Sequence, residues 1–132
     1  MIVLDTHALI WWVNDDACLS KPARKKIEGS LASGERILVS AISAWEIAML
    51  VQRERIALAM DLDEWLRLVQ SLDGVTMVPL TPQVAVQSAT LPGEFHKDPA
   101  DRMIVALARE QGAAVVTADE KIQRYPHVRC VW

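Results

Sequence analysis

The chain is 132 residues long, 52% hydrophobic and 23% charged, with a formal net charge of −3 and two cysteines. That size suits a single domain over residues 1–132 with a sizeable core and excludes two ordinary domains. The weak negative charge argues against non-specific, charge-driven nucleic-acid binding without excluding a local basic rim, no apolar run approaches the roughly 18 residues of a membrane helix, and Cys18 and Cys130 form neither a metal-ligand pair by spacing nor a disulfide framework.

The first stretch, MIVLDTHALIWWV, lacks the positive region of a signal peptide, so the expectation is an unprocessed protein of the reducing cytoplasm. Within it, residues 2–4 (IVL) read as a short strand and THALIWWV, after Asp5, as a helix. PARKKIEGSLASG has Pro22 at a first helical position and Gly29 and Gly34 near its far end, the marks of a second helix. RILVS is a buried strand, followed by the helix AISAWEIAML that carries Glu46. DLDEWLRLVQSL places Leu62, Trp65, Leu66 and Val69 on one stripe, and GVTMVPL after it reads as a strand. TPQVAVQSATL is helical with Thr81 as cap and Pro82 first. PGEFHK, residues 92–97, is expected to be a loop and the one stretch with scope for mobility. DPADRMIVALAREQG carries the clearest helix signals, with Asp98 as cap, Pro99 first and Gly112 as the stop, and AAVVT and VRCVW supply two more strands.

Short apolar strands alternating with helices imply an α/β fold in which a small, mostly parallel sheet is covered on both faces. Ligands of such sheets bind beyond the carboxyl ends of the strands, near a topological switch point. Four acids map to that edge. Asp5 directly follows the first strand, Asp119 follows AAVVTA, Glu46 lies in the first turns of the helix after ILVS, and Asp101 in the first turn opened by DPAD. Glu46 shares a helix face with Ile42, Met49 and Leu50, and Asp101 shares one with Ile104, Val105 and Ala108, so both are expected at the mouth of the core.

Each acid has a local structural reading as well. Ser43 to Glu46 fits the S-x-x-E capping box, Asp98 is a good N-cap before Pro99, Asp101 complements a helix dipole, and Asp5 and Asp119 suit caps or turns. Independent caps, however, have no reason to collect at one sheet edge. Close carboxylates repel one another unless a cation neutralises them, and an all-oxygen set without a His or Cys cluster favours Mg²⁺ or Mn²⁺ over zinc. Such ions activate water in phosphodiester cleavage, which is the chemistry of a metal-dependent nuclease. His7 and His96 flank the site without being needed by that chemistry as a base. Trp11, Trp12, Trp45 and Trp65 sit at helical positions suited to core or interface, and KPARKK and RER (residues 53–55) read as solvated faces or a phosphate-contacting rim.

At these residues the sequence resembles the PIN-domain ribonucleases, specifically the VapC toxins of type II toxin–antitoxin systems. The resemblance rests on VLDTHALIWW, SAISAWEIAML, FHKDPADRMIVALA and VVTADEKI and runs over nearly the whole chain. It implies a PIN-like α/β/α sandwich, with Asp5, Glu46 and Asp101 as the principal catalytic and metal-binding acids, Asp119 as the more variable fourth, and Asp98 in a supporting role. It further implies Mg²⁺- or Mn²⁺-dependent endoribonuclease cleavage of tRNA or rRNA leaving a 3'-hydroxyl and a 5'-phosphate, a homodimer, and a cognate VapB-type antitoxin that blocks the site. Two other function classes compete with this one. The first is a catalytically silent PIN-like module that only binds RNA or protein. The second is phosphoryl transfer through an aspartyl-phosphate on Asp5, for which His7 stands where a second Asp is wanted.

Overall fold

A computed structural model describes all 132 residues. In chain order the elements are β1 (Ile2–Leu4), α1 (Thr6–Val13), α2 (Lys21–Ala32), β2 (Ile37–Ser40), α3 (Ala41–Gln52), α4 (Leu62–Ser71), β3 (Val75–Val78), α5 (Pro82–Ala89), α6 (Pro99–Gln111), β4 (Ala114–Val116), α7 (Glu120–Gln123) and β5 (Cys130–Val131). The local signals explain most of these boundaries. Ser20, Thr81 and Asp98 accept backbone N–H bonds at the starts of α2, α5 and α6, and Gly112 ends α6 in the left-handed conformation with φ 63°. Pro22 falls one place later than expected, since α2 already begins at Lys21. The single turn α7, absent from the sequence reading, is capped by Asp119.

The five strands form one sheet in the order β3-β2-β1-β4-β5, with every pair parallel. The chain builds outward from β1 to β2 and β3, then returns to the other side of β1 as β4, so the switch point lies between β1 and β4. Leu4 pairs with Val39 on one side and with Val116 on the other, which fixes the level at which both strands end.

Alternate strand residues divide the core into two. Ile2, Leu4, Ile37, Val39 and Val116 face α1, α2 and α4, where Leu9, Ile27 and Trp65 fill the space. Val3, Leu38 and Val115 face α5, α6 and α7 through Val84, Ile104, Leu107 and Ile122. This two-sided burial is why the strands are short continuous apolar runs without polar alternation. Trp65 is fully buried and its indole Nε1 donates to Asn14 Oδ1 at 3.1 Å, tying α4 to the end of α1. No helix is long and apolar enough to cross a membrane.

The segment at residues 92–97 is irregular, as expected, but it is held at several points. Arg102 of α6 donates from Nη1 to the carbonyls of Phe95 at 3.0 Å and His96 at 3.2 Å, and from Nε to Ser88 at 2.7 Å. The Tyr125 hydroxyl donates to the Pro92 carbonyl.

Candidate active site

The ends of β1 and β4, together with the N-terminal ends of α1, α3 and α6, enclose a cleft of about 420 Å³ lined by Asp5, Glu46, Asp98, Asp101 and Asp119, with Thr6, His7, Trp11 and Ala118. All four acids expected at the sheet edge therefore meet in one place, with Asp98 beside them. They arrive from separate elements. Asp5 closes β1, Glu46 stands one turn into α3, Asp101 in the first turn of α6, and Asp119 follows β4. Because α6 precedes β4 and runs antiparallel to it, its first turn lies at the carboxyl edge of the sheet.

Asp5 does two jobs with its two oxygens. Oδ1 accepts the backbone N–H of Thr6 at 2.8 Å and so caps α1, while Oδ2 accepts the Thr117 hydroxyl at 2.6 Å. Thr117 Oγ1 in turn accepts the backbone N–H of Asp119 at 3.0 Å, and Asp119 Oδ1 accepts from Lys121 N at 2.8 Å. One buried hydroxyl thus sets Asp5 and Asp119 relative to each other. The cap and site readings of these acids do not exclude one another, because each carboxylate keeps lone pairs beyond those its cap consumes.

The capping-box reading of Glu46 is not realised. Ser40, not Ser43, caps α3, donating no bond to Glu46 but accepting the backbone N–H of Ile42 at 3.2 Å. Ser43 is a fully buried residue inside the helix, and the partner of Glu46 is the Thr6 hydroxyl, which donates to Oε1. Thr6 Oγ1 is also hydrogen-bonded to Ser43 Oγ at 2.9 Å. Asp98 is the N-cap of α6, accepting from Ala100 N at 2.9 Å and Asp101 N at 3.3 Å, while its side chain remains part of the cleft lining.

Asp101 has no such helper. Its nearest polar contact is His96, whose Nε2 lies 3.1 Å from Oδ2 without forming a hydrogen bond, leaving that buried nitrogen unpartnered. Burial, reinforced by Asp5, Asp98, Asp119 and Glu46, pushes the Asp101 carboxyl up to about 8. Burial also raises Asp5, against the bonds from Thr117 and Thr6, and raises Glu46, against the bond from Thr6. Three acids whose carboxyls are all pushed up by burial in one small cleft are a site in need of positive charge. The donor set fits a divalent cation: hard carboxylate oxygens from several elements, with one orphaned imidazole nitrogen at the rim. The helix N-termini aimed at the same cleft favour anions such as a phosphate.

Thr6 and Thr117 were the residues hidden from the sequence reading, and Ser43, read there as a cap, is instead the hydrogen-bond partner of Thr6. Thr6 and Thr117 stand inside the quoted stretches VLDTHALIWW and VVTADEKI, each within two residues of a site acid, and that adjacency was the available signal. Of the four tryptophans expected in core or interface, Trp65 is core, Trp11 and Trp12 are half-buried, and Trp45 is 57% exposed. Trp45 lines a second groove with Met49, Leu50, Arg53 and Arg55 that shares Glu46 and Asp98 with the acidic cleft.

The PIN domain family matches residues 2–128 of this chain. Ribonuclease VapC22 of Mycobacterium tuberculosis is 38% identical over 130 residues, covering 98% of this chain and 95% of that protein. Among solved structures, VapBC2 from Rickettsia felis bound to a DNA fragment from its promoter has a TM-score of 0.66 at 17% identity, over 98% of this chain and 97% of that one. DNA-bound VapBC from Salmonella typhimurium has a TM-score of 0.65 at 21% identity over the same shares. A toxin–antitoxin complex from Klebsiella pneumoniae has 0.64 at 17% identity, over 97% and 95%. At these identities the superpositions speak for the fold.

Proposed function

Since the chain belongs to the PIN-domain family, we propose that it is the ribonuclease toxin of a toxin–antitoxin pair, a divalent-metal-dependent endoribonuclease acting on structured RNA such as tRNA or rRNA. The observation that carries this reading is the meeting of Asp5, Glu46, Asp101 and Asp119 in one cleft at the switch point of a parallel sheet. Four acids drawn from four elements have no common structural task there.

Asp5 and Asp101 are the residues that would hold a first Mg²⁺ or Mn²⁺, with Glu46 and Asp119 completing the set. Such an ion, when bound, polarises the scissile phosphate and makes water acidic enough to serve as a nucleophile near neutral pH. The protein's own contribution is placement. Thr117 fixes the rotamer of Asp5, and Thr6 fixes that of Glu46, so that the carboxylates are ordered before substrate arrives. Arg53 and Arg55, on the groove that opens from Glu46, are positioned to meet flanking phosphates. A VapB-type antitoxin that covers this acidic cleft, a homodimeric assembly and a cytoplasmic location complete the proposal.

The test is cleavage of a total tRNA and rRNA pool by wild type and Asp5→Asn, each with Mg²⁺, with Mn²⁺ and with EDTA. Cleavage that requires both the ion and Asp5 supports the reading. Equal cleavage by Asp5→Asn, or cleavage that survives EDTA, overturns it.

A further inference from the structure

We propose that His96 is a nitrogen ligand of the bound ion, forming with Asp101 and Asp119 a mixed His–Asp–Asp donor set that the acid pattern of the sequence does not contain. The inference rests on reading the cleft as a divalent-metal centre and adds a donor to it.

Three features of the structure carry it. First, one ligand atom from each of His96, Asp101 and Asp119 falls within 4.8 Å of the other two. Second, His96 Nε2 is buried yet bonded to nothing, while Asp101 Oδ2 lies 3.1 Å away. Leaving a buried ring nitrogen unsatisfied costs about 1–3 kcal/mol, so a partner is to be expected. Adjacent ligands of an octahedral ion, with bonds of roughly 2.0–2.2 Å, stand about 3 Å apart, which is the separation of this nitrogen and oxygen. Third, the imidazole is pre-positioned. Arg102 clamps the carbonyls of Phe95 and His96, and the Phe95 ring packs edge-on against His96 with centroids 4.4 Å apart. A ring fixed from both its backbone and its face loses little entropy on taking a ligand.

The chemical consequence is a shift in metal preference. Carboxylates alone suit Mg²⁺, whereas an imidazole donor tilts a site toward transition ions such as Mn²⁺. His7 also lines the cleft and is the competing nitrogen, but it is exposed and bears on Trp11 rather than on Asp101.

The experiment uses tag-free, EDTA-stripped full-length protein titrated with Mn²⁺ alone, with affinity read by calorimetry and ligation by electron spin-echo modulation from ¹⁴N. Wild type and His7→Gln are expected to show histidine nitrogen modulation. His96→Gln is expected to lose it and to bind Mn²⁺ on the order of tenfold more weakly, with a smaller change for Mg²⁺. Bound Mn²⁺ without nitrogen modulation in wild type overturns the histidine assignment and leaves the metal centre standing. Modulation that survives in His96→Gln and vanishes in His7→Gln overturns it as well. Failure of wild type to bind Mn²⁺ overturns both this inference and the metal reading beneath it. Because the decisive signal belongs to the wild-type protein, a poorly folded variant does not rescue the proposal.

Discussion

Thr117 donates a 2.6 Å hydrogen bond to Asp5 across 112 positions of sequence, and both residues are buried. That one bond joins the ends of β1 and β4 at the switch point and orients the first acid of the site. Thr117→Val, which keeps the shape and removes the donor, is expected to weaken Mn²⁺ binding and RNA cleavage by about 10–100-fold. The Thr6 N–H bond to Asp5 survives the change, so the fold should persist. Thr117→Ser should restore most of the loss. Calorimetry and cleavage rates check this, and wild-type values for Thr117→Val would refute it.

The acids differ in how well the protein supports their charge, and this predicts opposite effects from one kind of substitution. Asp101 is burdened by four neighbouring acids and receives no hydrogen bond, so Asp101→Asn should stabilise the metal-free protein at pH 8. The gain should be on the order of 1–2 kcal/mol, roughly 4–8 °C in Tm. Asp5→Asn instead gives up an acceptor of the Thr117 hydroxyl and should gain less or nothing. Thermal melts of the two variants in EDTA at one pH decide the order.

The same electrostatics fix the pH dependence. Asp101 holds its proton up to about 8 when folded and only to about 4 when unfolded, and Asp5 and Glu46 are displaced in the same direction. Between those limits the folded state binds more protons than the unfolded chain. Stability of the metal-free protein must therefore fall as pH rises from about 4 through about 8. Saturating Mn²⁺ should reduce or abolish that slope, since an ion repays the repulsion. The check is Tm measured from pH 5 to pH 8.5 with and without Mn²⁺, and a metal-free Tm that climbs over this range contradicts the account.

Arg102 reaches three backbone carbonyls with one guanidinium and lies 5.9 Å over the Phe95 ring. Arg102→Ala should destabilise the protein by about 2–4 kcal/mol, because those carbonyls lose a charged donor. Lysine lacks the fork that spans them, so Arg102→Lys should recover only part of the loss. Denaturant melts at pH 6 give the sizes, and amide exchange at residues 94–97 should quicken in both variants.

Much of this molecule was legible in its sequence because the relevant signals are local. Helix starts at Thr81 and Asp98, the stop at Gly112, and short apolar strands follow from backbone hydrogen bonding and burial within a few residues, whereas the Ser20 cap that starts α2 ahead of Pro22 came only from the structure. The convergence of Asp5, Glu46, Asp101 and Asp119 was also legible, since an alternating parallel sheet puts the residues that follow its strands on one edge.

What the sequence by itself determined, then, was most of the elements, that the sheet is mostly parallel and which acids face its carboxyl edge. Only the tertiary structure decided how those acids are held: Thr6 against Glu46 and Ser43 across 40 and 37 positions, Thr117 against Asp5 across 112, and His96 against Asp101 through a loop pinned by Arg102. The physical reason is range. Periodicity and capping are written in neighbours three or four places apart, whereas a hydroxyl meets a distant carboxylate only after strand register and helix packing have set both backbones to within an ångström.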